Sequence, residues 1–105
     1  MAVGQGQPAV INGAAITAQG INSALNISAN TVIKASQGRV VKVNVTTAGS
    51  VAGGIYDAKT TGTAVAAKLV AVIPNTVGTY TIDFPCATGI TYLVGTGQVV
   101  SVSYN

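Results

Sequence analysis

The sequence predicts an all-β protein: an antiparallel β-sandwich or jelly-roll-like barrel of about seven to eight short strands, preceded by an extended N-terminal arm. Three observations predict it. The first is composition. Charged residues are 7% of the 105-residue chain, where a typical domain carries about 25%. Apolar content comes mainly from Val, Ile and Ala, and polar content from Thr, Ser, Asn and Gln. β-branched side chains are stiff at χ1 and favour the pleated surface of a strand. The second is a period of two in several short segments. The third is a series of Gly- and Pro-bearing turn signals between them. The length fits one domain.

The elements follow in chain order. Residues 1–30 contain no charge and are spread with Ala, Gly, Asn and Gln. Their apolar residues Val10, Ile11, Ile16, Ile21, Leu25 and Ile27 follow no single period. The segment is too apolar for a solvated tail. It is predicted to be an arm with one or two short strands, resting on another surface. Residues 31–105 are the predicted body. Val41, Val43 and Val45 alternate with Lys42, Asn44 and Thr46. Tyr80, Ile82 and Phe84 alternate with Thr79, Thr81 and Asp83, and Val100, Val102 and Tyr104 with Ser101 and Ser103. A period of two places each first set on a core face and each second set on a polar face. Weaker strands are predicted over 31–36, 54–58, 68–73 and 88–94, and a loop over 59–67. Gly95-Thr96-Gly97 reads as a hairpin turn.

A register argument bears on Lys34. A tight two-residue hairpin after Ser36 would set Lys34 opposite Val41, and directly opposed residues share a face. The lysine would then be buried. A longer loop, or a crossing between sheets, avoids this.

The residues for catalysis are missing. With no His, neither a Ser-His-Asp nor a Cys-His arrangement can form, and the chain is expected not to be an enzyme. Cys86, the single cysteine, is expected to be a small buried apolar residue. Asp57 and Asp83 are the only carboxylate side chains and read as surface groups. One Cys and two Asp cannot fill a zinc site, so no metal and no cofactor are expected. Gly95-Thr96-Gly97 leads into a strand, whereas phosphate binding at such glycines needs a helix N-terminus.

Partners are bounded by charge. Lys34, Arg39 and Lys42 fall within nine residues and form the one candidate basic patch. Single-strand nucleic-acid binders add stacking aromatics to such a patch. Here the tyrosines at 56, 80, 92 and 104 are scattered, which argues against nucleic acid. The first charge is Lys34, so no secretory leader is expected. No apolar run reaches the roughly 18 residues of a membrane span. A surface poor in charge desolvates cheaply and suits being covered by other copies or by a larger assembly.

Gly54-Ile55-Tyr56-Asp57-Ala58, Ala71 to Tyr80, Phe84-Pro85-Cys86, Gly89-Ile90 and Gly95 through Tyr104 together resemble small virion proteins of tailed bacteriophages, of the head-decoration (cement) or minor structural kind. The resemblance spans roughly residues 31–105. It implies a sandwich or jelly-roll-like body, no cofactor, and many copies on the capsid exterior or the tail. It implies the major capsid protein or another virion protein as partner, and homo-oligomers, commonly trimers. The expected interface residues are Val10, Ile11, Ile16, Ile21, Leu25 and Ile27 of the arm, with Lys34, Arg39 and Lys42. A tail or head-fibre component is the alternative within this class. A carbohydrate- or host-surface-binding β-module using Tyr56 or Tyr92 is the alternative from another class.

Overall fold

A computed structural model of the chain describes residues 20–105. It contains strands β1 (Asn22–Ile27), β2 (Thr31–Lys34), β3 (Gly38–Thr47), β4 (Gly53–Tyr56), β5 (Leu69–Ile73), β6 (Gly78–Cys86), β7 (Ile90–Leu93) and β8 (Val99–Tyr104). A single 3-10 turn, Ala66–Lys68, breaks the predicted loop just before β5. The strands form two four-stranded sheets. The first runs β1-β8-β3-β6 and the second β2-β7-β4-β5. All neighbours are antiparallel. The fold is therefore a β-sandwich of two open sheets.

Every connection except β4–β5 passes from one sheet to the other. This resolves the register question at Lys34: β2 and β3 lie in different sheets, so Lys34 never faces Val41. It also corrects the reading of Gly95-Thr96-Gly97. The Gln98 N–H donates to the Gly95 carbonyl at 3.0 Å, and Gly97 has φ +78°, the signature of a type II turn with Gly at its third position. That turn carries the chain between sheets rather than closing a hairpin.

The core lies between the sheets. From the first it takes Val43, Val45, Val100 and Val102, and from the second Ile55, Ile73, Ile90 and Tyr92. Cys86 joins them, fully buried. Most of the predicted alternation holds: Val43 and Val45 are buried while Lys42, Asn44 and Thr46 are exposed.

Two expectations fail at one irregularity. Between Val40 and Lys42, β3 gains a residue relative to β8, while β6 places both Ile82 and Asp83 opposite Val41. Such bulges shift the alternation. Val40 thereby becomes the core residue, and Val41, though buried, lies outside the core cluster. Asp83 takes φ +47°. Beyond it Phe84, expected inside, is 49% exposed on the edge strand β6.

The boundary at residue 30 also differs from the body seen here. Residues 22–27 pair with β8 as an integral strand. Ile27, expected at an interface, is 5% exposed and belongs to the core. Its burial follows from direct pairing with Val100 on the core face. Val10, Ile11 and Ile16 lie outside the described residues.

Candidate functional site

Crossing six times between layers about 10 Å apart concentrates polar organisation in the end turns. At one end, Asp57 follows β4 and its carboxylate accepts N–H groups from the β6–β7 turn: Thr88 at 2.8 Å, Ala87 at 3.2 Å and Gly89 at 3.3 Å. Gly89 is required there, because a Cβ would lie 2.7 Å from the Ala58 carbonyl oxygen and 2.8 Å from that of Lys34. Partial burial pushes the Asp57 carboxyl up, but the N–H groups of Thr88, Gly89 and Ala87, with Lys68 nearby, outweigh it. The net effect holds the group below its ordinary 3.8. The expectation of a plain surface aspartate therefore misses a structural tie between the end of β4 and a cross-sheet turn.

At the other end, Gln98 is fully buried. Its Oε1 accepts the Tyr92 hydroxyl at 2.7 Å and the Gly95 N–H at 3.2 Å, and its Nε2 donates to the Pro74 carbonyl at 3.0 Å. Three chain segments thus meet on one amide. Burial raises the Tyr92 hydroxyl well above its ordinary value, against the opposing effect of its bond to Gln98. No sequence signal marks Gln98, because a polar residue beside a turn glycine ordinarily faces solvent. Tyr92, buried in the core, is not available as an exposed aromatic platform.

The two outer faces differ. On the first sheet, Ser23 pairs with Ser103, Ser103 with Lys42, and Lys42 with Thr81, while Ser101 and Thr79 flank Asn44. This face is a lattice of hydroxyl and amide groups around one ammonium. On the second sheet, Gly54 pairs with Val72 and with Leu93. A Cβ on Gly54 would lie 3.1 Å from the Tyr56 ring and 3.2 Å from Leu69 Cδ1. Tyr56, Leu69, Val72 and Leu93 therefore surround a shallow notch over Gly54. Val72 is 62% and Leu69 41% exposed, so this outer face is apolar.

Two of the predicted basic residues, Lys34 and Arg39, meet at the main chain of Asn105, and Lys42 stands apart. Lys34 Nζ donates to the Asn105 main-chain oxygen at 3.2 Å. Arg39 exchanges main-chain bonds with Asn105, and its guanidinium pairs with Asp83. Lys42 stands on the polar outer face of β3. Ile21 and Leu25 of the predicted arm are exposed, at 59% and 70%. Among the described residues no group of three or more His, Cys, Asp or Glu lies together. No helix there is long and apolar enough to cross a membrane.

No protein family, characterised protein or solved structure matches this chain.

Proposed function

We propose that this protein is a structural component of a tailed-bacteriophage particle, a decoration or stabilising protein that acts through its surfaces by binding other copies and the capsid. The observation that carries the reading is the apolar outer face around Gly54, with Leu69 and Val72 exposed. Monomeric soluble proteins rarely leave large contiguous apolar patches in water, and such patches mark interaction sites. The low charge of the whole chain supports the same reading: 7% charged residues leave little to desolvate when a face is covered. Many copies on a lattice act through avidity, so each contact can be weak.

The test is a density map of the native particle together with a count of copies. A decoration protein approaches the copy number of the major shell subunit, with the second sheet's outer face covered. A few copies at a vertex or along the tail favour the fibre or tail alternative. Absence from purified particles refutes the proposal.

A second reading is favoured by Tyr56, which borders the notch over Gly54 on the outward face as aromatic platforms for sugars do. Glycan binding by the full chain, lost in Tyr56→Ala, would establish that reading instead.

A further inference from the structure

The charge of this chain is gathered in one half of the sandwich. Its five cationic and two anionic side chains all lie toward the end that holds Asp57 and the β6–β7 turn. The turns of the opposite end, 28–30, 48–52, 74–77 and 94–98, carry none. At the charged end, residues 57–68 fold back as a wall over the outer face of the second sheet. Thr91 pairs with Tyr56 and so shares its outward side. It is nevertheless buried, and its hydroxyl donates to the Ala58 carbonyl at 2.7 Å. The Asp57 N–H donates to the Lys68 carbonyl at 2.8 Å, and the Lys68 N–H to that of Val65 at 2.8 Å. The wall is thus fixed by its own bonds. Its two cations, Lys59 and Lys68, are exposed and form no ion pair among the described residues. The apolar floor begins directly beside it. Leu69 follows Lys68 and pairs with Tyr56, and exposed Val72 lies beyond.

We propose that this apolar floor with its cationic wall docks an acidic protein surface, one that sets carboxylates beside an apolar centre. The proposal rests on the particle reading above and names the chemistry of the shell partner at this face. The occupant follows from charge. The only side-chain carboxylates of the chain are Asp57 and Asp83. Asp57 accepts N–H groups from Ala87, Thr88 and Gly89, and Asp83 pairs with Arg39. A second copy therefore offers no uncommitted side-chain carboxylate, and residues 1–19 hold none at all. Covering the face with either would desolvate two ammonium groups without a counter-charge, which is costly. Carboxylates on a different chain would meet them. Interfaces of this kind put apolar contact at the centre and charge at the rim. Rim charge sets orientation and association rate more than affinity. A polyanion without apolar groups, such as an acidic glycan, would leave Leu69 and Val72 in water, so the floor favours protein.

The test is a titration of the full chain followed by amide chemical shifts at about 0.1 M ionic strength, where charges still act over about 10 Å. Two probes are capped hexapeptides, one alternating leucine with glutamate and one alternating leucine with lysine. The third is trigalacturonate, a sugar trimer of the same charge as the acidic peptide. The expected result is that the acidic peptide shifts residues within 56–72. It should bind roughly tenfold more tightly than the basic one, the size of effect that two exposed ion pairs supply. Lys59→Glu with Lys68→Glu should invert the preference, and Lys42→Glu, on the other sheet, should leave it in place. Should a second acid beside Asp57 unfold the turn, Lys59→Gln with Lys68→Gln replaces the pair and must abolish the preference. No shift with the acidic peptide, shifts confined to other residues, equal binding of the two peptides, or a preference that survives the paired substitutions overturns the proposal. So does tighter binding of trigalacturonate, which would assign the face to acidic glycans. None of these outcomes bears on whether the protein belongs to a particle, which the density map and the copy count decide.

Discussion

Replacing Gln98 with alanine tests whether the cross-sheet turns are held by one buried amide. Gln98 makes three hydrogen bonds, with Tyr92, Gly95 and Pro74, and it is 1% exposed. Truncation leaves a buried hydroxyl, a main-chain N–H and a main-chain carbonyl without their partner. Each stranded group costs about 1–3 kcal/mol. The expected loss is thus at least about 3 kcal/mol, a large fraction of the 5–15 kcal/mol typical of a domain. Tyr92→Phe is the internal control. It removes one bond and leaves Gln98 still bound to Gly95 and Pro74, so it should cost about 1 kcal/mol. Urea unfolding followed by tyrosine fluorescence and far-UV circular dichroism reads both, with coincident curves confirming a two-state transition. A loss below about 1 kcal/mol in Gln98→Ala, or equal losses in the two variants, would refute the claim that this amide gathers three segments.

Other outcomes follow from the same geometry. Asp57 has a folded-state pKa below its ordinary 3.8, so its contribution to stability is complete above that value and disappears as pH falls through the lower, folded one. The urea midpoint should drop below pH 3.8, and Asp57→Asn should flatten that part of the profile. An unchanged slope in the variant would show that the turn N–H groups do not depend on the charge. Asp83→Ala should cost about 1–2 kcal/mol because alanine is strained at left-handed φ, and Asp83→Gly should recover most of it. If Gly and Ala cost the same, the loss belongs to the exposed ion pair with Arg39, for which about 0–1 kcal/mol is ordinary. The Cys86 thiol, pushed up to about 11 first by burial and then by Asp57, should resist a thiol reagent at pH 8 and react fully in urea. Rapid native labelling would contradict its burial.

Much of the architecture was legible in the chain because period-two alternation is local. β3 and β8 were readable from Val43, Val45, Val100 and Val102, whose neighbours are Asn44, Thr46 and Ser101. The limit lay where faces change without a change in composition. Phe84 follows two residues that share one opposite position, and a bulge leaves no signature in residue type when its left-handed residue is Asp83 rather than glycine. The arm illustrates a different limit. Leu25 and Ile27 stand two residues apart, where plain alternation places them on one face, but the register shifts between Ala24 and Ile27 with Asn26 at φ +55°, and Ile27, paired with Val100, is buried while Leu25 is exposed. The candidate faces were less legible still. Lys34, Arg39 and Lys42 are close in sequence, but only Lys34 and Arg39 converge, on the Asn105 main-chain oxygen and from strands of opposite sheets, while Lys42 stands on the outer face of β3.

Composition and alternation by themselves determined the fold class, the poverty of charge and the absence of His, because these are properties of residue types and their spacing. The tertiary structure decided which strands are neighbours, that nearly every connection crosses between the sheets, and that one outer face is polar and the other apolar. It also decided that Asp57 and Gln98 hold the end turns. Those facts depend on contacts between residues tens of positions apart, where local preference is silent and packing of the two layers selects the partner.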